Sequence, residues 1–142
     1  MKFSEIEESK WNELEPYLDT CLLPVTGMTG LERPYEATQE LERLRDIMDL
    51  VEVPFKGRIV TYPACHYGGE EITNLVNKLC GSLKTAGFKF VIVITAKPLS
   101  RPVPEHADLV IAAADNGKLP DAAEVSQAIR ELWNSGMDQE AI

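Results

Sequence analysis

The sequence predicts an α/β fold of three layers, a mostly parallel sheet of about four strands flanked by helices. Three observations carry that expectation. Residues 88–95, Phe-Lys-Phe-Val-Ile-Val-Ile-Thr, are apolar on both faces over most of their length, as a central parallel strand must be when helices cover it from both sides. Ala37, Leu41, Leu44, Ile47, Met48 and Val51 recur at steps of three and four, which draws an apolar stripe down one side of a helix. Along the whole chain the pattern runs strand, helix, strand, helix, strand, strand, helix, the order that right-handed crossovers assemble into layers.

The elements follow in turn. Residues 4–18 place Trp11, Leu14 and Leu18 at helical spacing behind a possible Ser9 cap, and Pro16 limits them to one short helix. Residues 20–25, Thr-Cys-Leu-Leu-Pro-Val, form a continuous apolar run that reads as a buried first strand despite Pro24. A loop rich in Gly and Thr over 26–34 leads to the striped helix, which Pro54 and Gly57 close. A second short strand, 58–62, ends at Pro63 and delivers the chain to a loop, Ala64-Cys-His-Tyr-Gly-Gly69.

The next helix starts near Glu70 and Glu71, acids that suit the positive end of the helix dipole, and turns Ile72, Leu75, Val76, Leu79, Leu83 and Ala86 inward before Gly87 stops it. After the 88–95 strand, Leu99-Ser-Arg-Pro-Val-Pro104 is a Pro-rich connection without a good helix. It leaves the direction of a weaker fourth strand, 107–112, open. Asp121, with Glu124 three residues on, caps a last helix that buries Ala122, Val125, Ile129, Leu132 and Trp133, and the tail over 136–142 is expected to fray. Residues 1–142 are thus expected to make one α/β domain.

Composition narrows the function. Fourteen Lys and Arg against twenty-three Asp and Glu give a net charge of −9, a field that repels nucleic-acid phosphate and anionic membranes. Three cysteines, Cys21, Cys65 and Cys80, without a Cys-x-x-Cys pair or an export signal, read as reduced thiols of a cytoplasmic protein. The longest apolar run is far too short to span a bilayer. The expected partner is a small molecule or a protein, and a homo-oligomer is possible; nucleic acid and membrane are not expected.

Ligands in open α/β sheets sit beyond the carboxyl ends of the strands, so the loops 26–34, 64–69, 96–104 and 113–119 are the candidate rim. The richest of these holds Cys65, His66, Tyr67, Gly68 and Gly69, a thiol, an imidazole and a phenol just before a helix whose N-terminus would favour a thiolate. Walker, Rossmann, Cys-x5-Arg and Gly-x-Ser-x-Gly patterns are absent from the sequence. His66 and His106 are the only histidines, so a metal site would be assembled mostly from carboxylates, drawn from Glu32, Glu40, His66, Glu70 and Glu71. No cofactor or metal is expected, and Cys65 and His66 are the candidates for any catalytic role.

Trp11-Asn-Glu-Leu followed by Cys21-Leu-Leu-Pro-Val-Thr-Gly27 resembles the opening of the creatininase-type amidohydrolases. Residues 63–68, the helix through Leu83 and the strand from Ala86 to Ile94 resemble that family's later turn, helix and strand. Asp19-Thr20, Leu22-Leu-Pro24, Phe55-Lys-Gly-Arg-Ile-Val60 with Pro63, and Gly87-Phe-Lys89 are similar to the small YpiF-like family of uncharacterised bacterial proteins. The two resemblances imply a shortened creatininase-like scaffold. They also imply lost metal ligands, because Thr29 and Leu31 stand where that family has Glu and His, and Lys97 stands where it has a later His. An ammonium and an isobutyl group cannot ligate a divalent metal. The expected function is non-catalytic binding at the rim, in which Thr29, Glu32 and Lys97 join residues 65–69. A metal-dependent amide hydrolase with rearranged ligands and thiol chemistry at Cys65 are the alternatives.

Overall fold

A computed structural model describes residues 1–99 and 104–140, with side chains up to residue 135. Four α-helices and five strands build it: α1 (Glu8–Leu14), β1 (Thr20–Met28), α2 (Pro34–Glu52), β2 (Ile59–Thr61), β3 (Cys65–Tyr67), α3 (Ile72–Thr85), β4 (Phe90–Thr95), β5 (Leu109–Ala112) and α4 (Ala122–Glu140). Every strand pairing is parallel, in the order β2-β1-β4-β5, with β3 added beside the upper half of β1. The fourth predicted strand, β5, therefore runs parallel to β4.

Side-chain alternation along β1 and β4 divides the interior in two. Leu22, Phe90, Ile92 and Ile94 face α2 and α4, where they meet Leu44, Ile47, Val51, Val125, Ile129 and Trp133. Cys21, Leu23, Val25, Val91 and Val93 face α3 and α1, against Val76, Cys80, Trp11 and Leu14. Both faces of β1 and β4 are covered, which is why their sequences are apolar without a period of two.

Pro24 stands inside this central strand, where a missing N–H ordinarily breaks a ladder. Backbone polarity alternates between neighbours: Leu22 O accepts from Tyr62 N at 3.0 Å on the β2 side, and Val25 O accepts from Ala96 N at 3.1 Å on the β4 side. Pro24 N thus points to the β2 side, at the level where the pairing of β1 switches from Thr61 to Cys65. The missing donor falls in a gap that the strand pairing already leaves.

Several expectations need correction. The N-terminal segment is a 3-10 turn, Phe3–Glu5, and then α1, with Glu7 at the N-cap and Ser9 inside the helix. Residues 65–67, expected as loop, are β3. Leu41 and Leu75 are exposed, at 43% each, and Ala86 is exposed too. On α2 the buried series is Glu40, Leu44, Ile47 and Val51, so the inward stripe continues one turn back onto an acid instead of Leu41. α4 remains helical to Glu140, beyond the point where fraying was expected, while 141–142 and the middle of the Pro-rich connection, 100–103, lie outside the described residues. Asp121 does cap α4, its Oδ2 accepting from Glu124 N at 3.2 Å.

At the amino ends of the strands, α4 is tied to the sheet by a chain of polar contacts. Trp133 Nε1 donates to Thr20 Oγ1 at 2.9 Å, and Thr20 Oγ1 donates to Asp19 Oδ1 at 3.0 Å. Arg58 holds both Asp19 oxygens, at 2.9 and 3.1 Å, and its guanidinium lies 4.2 Å over the Trp133 ring. Phe55 packs edge-on to the same ring at 5.0 Å.

Candidate functional site

From β1 the chain crosses through α2 to β2 on one side, and through α3 it returns to β4 and β5 on the other. The connections leaving β1 and β4 therefore go to opposite sides of the sheet, and the carboxyl ends of these two strands flank a crevice, the usual ligand seat of open α/β sheets. A cleft of about 230 Å³ occupies that position. Thr26 and Gly27 of β1, Thr95 and Lys97 at the end of β4, and Ile72 of α3 are among its walls.

Of the residues singled out from the sequence, Thr29, Gly69, Glu70 and Lys97 line this cleft. Glu32 closes the loop beneath Thr29, its carboxylate accepting from the backbone N–H groups of Thr29 and Gly30 at 2.9–3.0 Å. Those backbone donors, that of Thr29 first, hold the Glu32 carboxyl below the ordinary carboxylate range. Gly68 turns the chain from β3 toward α3 at φ +150°, a conformation that favours glycine, and a Cβ there would lie 3.0 Å from Ile72 Cδ1, which would have to shift.

β3 separates the two residues expected to cooperate. Strand neighbours point to opposite faces. Cys65 packs into the α3-side core, whereas His66 reaches Thr26. Thr26 Oγ1 donates to His66 O at 2.8 Å and lies 3.2 Å from His66 Nδ1. Burial pushes the Cys65 thiol above its ordinary value, opposite to the lowering expected from a helix N-terminus. Cys80 is pushed up to about 11, chiefly by burial, and Cys21 is raised for the same reason. The geometry offers no thiolate–imidazole pair at Cys65 and His66. Tyr67 projects into solvent, 64% exposed.

The five alternative metal ligands do not converge. Glu32 binds its own loop, Glu40 lies on α2, His66 faces Thr26, Glu70 lines the cleft and Glu71 accepts from Asn74. Among the described residues no three His, Cys, Asp or Glu side chains stand where they could hold a metal ion. The residues present do not fit the di-metal site of the resembled amidohydrolases.

The main feature missed from sequence is the environment of Glu40. It is 7% exposed, and its Oε1 is 3.0 Å from Lys97 Nζ and 3.7 Å from an Arg43 nitrogen. Oε2 is buried with no hydrogen-bond partner among the described residues. An unpartnered buried acceptor costs about 1–3 kcal/mol, more when charged. Arg43 in turn lies flat on Gly117 of the β5–α4 loop, where a Cβ would come within 2.7 Å of it. The signal that could have located Glu40 was its place four residues before Leu44 in the inward series 40, 44, 47, 51.

No helix among the described residues is long and apolar enough to cross a membrane. No curated protein and no solved structure matches the chain. A family model does match, over residues 9–112, which takes in all five strands and the first three helices. The chain belongs to the family described as protein of unknown function, DUF2487.

Proposed function

We propose that this chain is a non-catalytic binding module that seats a small ligand in the crevice between the carboxyl ends of β1 and β4. The observation that supports this reading best is Glu40, a buried carboxylate paired with Lys97 of the cleft wall, one of whose oxygens has no hydrogen-bond partner among the described residues. Buried polar groups are ordinarily satisfied, and one without a partner among the described residues at a strand-end rim is where a ligand donor would be accommodated. The scaffold is read as creatininase-like and YpiF-like from the motifs around residues 22–27 and 87–95, with Thr29, Leu31 and Lys97 replacing the ligands that catalysis in such a frame requires. Of residues 65–69, proposed for the same rim, Gly69 lines the cleft.

Titration of a metabolite panel into ¹⁵N-labelled protein tests the proposal. Ligand-dependent shifts are expected at Thr26, Gly27, Thr95 and Lys97. Shifts confined to other surfaces, or an amide-hydrolase activity that disappears when metal is removed, would overturn it.

A further inference from the structure

The cleft's hydrogen-bonding inventory restricts what can occupy it. Each of its three threonine hydroxyls has already spent its proton. Thr26 gives its proton to His66 O at 2.8 Å, Thr95 to Lys97 O at 2.6 Å, and Thr29 to the Glu32 carboxylate at 3.2 Å. A hydroxyl that donates internally can offer an incoming group only a lone pair, and because Thr29 and Thr95 already accept from Leu31 N and Lys97 N, each of these has one left. Glu70, also on the wall, is an acceptor of the same kind. This part of the cleft therefore recognises N–H or O–H donors, best a cation.

Lys97 supplies the opposite polarity. Its ammonium stands 3.0 Å from Glu40 Oε1 as an ion pair and keeps protons to offer an acceptor. Glu40 is buried and is also paired with Arg43, so its charge holds the Lys97 head group near one position. The remaining walls, Ile72, Pro98 and Leu99, are apolar. At about 230 Å³ the cleft is smaller than the roughly 300–1,000 Å³ that drug-sized ligands fill, so its occupant has few heavy atoms.

A cationic donor, an anionic acceptor and a short apolar body in one small molecule describe an amino acid. We infer that the crevice binds a small aliphatic α-amino acid, its carboxylate on Lys97, its ammonium on Glu70 and the threonine lone pairs, and its side chain against Ile72, Pro98 and Leu99. Glu40 is a positioning residue that acts through Lys97. The inference rests on the crevice being a ligand seat and adds the class of ligand.

The test uses the full chain with three probe sets in calorimetry and ¹⁵N titration. These are L-alanine, L-valine and L-leucine, each beside the amine left when the carboxylate is removed and the acid left when the ammonium is removed. At least one amino acid is expected to bind with shifts at Thr95 and Lys97, and its two truncated counterparts at least tenfold more weakly. Lys97→Ala is expected to lower amino-acid affinity about tenfold while leaving the amine's weak affinity unchanged. Glu70→Gln, at an exposed position where folding is not at stake, is expected to lower amino-acid affinity and leave the acid's unchanged. An amine or an acid that binds as tightly as its parent, an affinity indifferent to Glu70→Gln, or no binding by any amino acid would overturn the inference. If a metabolite of another class then shifts the same residues, only the ligand class has failed. If nothing shifts them, the ligand seat has failed as well.

Discussion

The two ends of the sheet handle buried polarity in opposite ways. At the amino end, Trp133, Thr20, Asp19 and Arg58 form a continuous chain in which the indole N–H, the hydroxyl proton and both carboxylate oxygens have partners. At the carboxyl end, Glu40 has one buried oxygen with no hydrogen-bond partner among the described residues, and Thr26, Thr29 and Thr95 of the cleft give their protons to acceptors of their own chain. Both ends use one acid, one long cation and threonine. The difference lies in closure: one end has satisfied itself, and the other retains capacity for something else. Stability and binding thus occupy opposite ends of the same strands.

Substitutions sharpen or break that contrast. Trp133→Ala should have the largest effect. It removes a buried ring together with its contacts to Phe55, Arg58 and Thr20, at a cost of about 3–5 kcal/mol, visible as a lowered urea midpoint. A change under 1 kcal/mol would mean that α4 is not anchored where it is described. Asp19→Asn weakens the bidentate Arg58 contact. Because both partners are partly exposed, the expected loss is about 1–2 kcal/mol, again without effect at the crevice.

Glu40→Met points the other way. Replacing a buried, incompletely satisfied carboxylate with an apolar side chain of similar length should leave stability unchanged or raise it by about 1 kcal/mol, while ligand affinity falls because Lys97 loses its anchor. Destabilisation by 2 kcal/mol or more would show that Glu40 is structural and would remove the contrast. The smallest effect concerns Glu32. Its carboxyl is lowered in the folded chain, so its contribution is fully present above the ordinary carboxylate pKa and is lost only as pH falls through the depressed value. Amide exchange of Thr29 and Gly30 should accelerate below the ordinary carboxylate range while β4 amides stay protected. Simultaneous loss at both places would signal global unfolding instead.

The sheet and its covering helices were legible because burial on two faces leaves an unambiguous apolar run in β4 and a clear stripe on α2. β3 was not legible. Cys-His-Tyr is too short to show a period, and it pairs only because β1 runs on to Met28 past the end of β2. The rim was locatable from topology alone, and Thr29, Glu70 and Lys97 were named from sequence before any geometry. Glu40 was named only as one of several acids. Its burial was hidden because Leu41, the neighbouring residue, fits the apolar pattern better than an acid does, and only the backbone decides which of the two turns inward. Cys65 and His66 misled for a related reason: adjacency in sequence suggests cooperation, and a strand places neighbours on opposite sides.

Pro24 gives the sheet a joint. Because no donor ties β1 to its outer neighbour at that level, the pairing of Thr20–Leu22 with Ile59–Thr61 is independent of the bulged pairing of Val25 and Met28 with β3 above it. A change in the length of the 62–64 link would then move β3 without shifting the register of the lower strands.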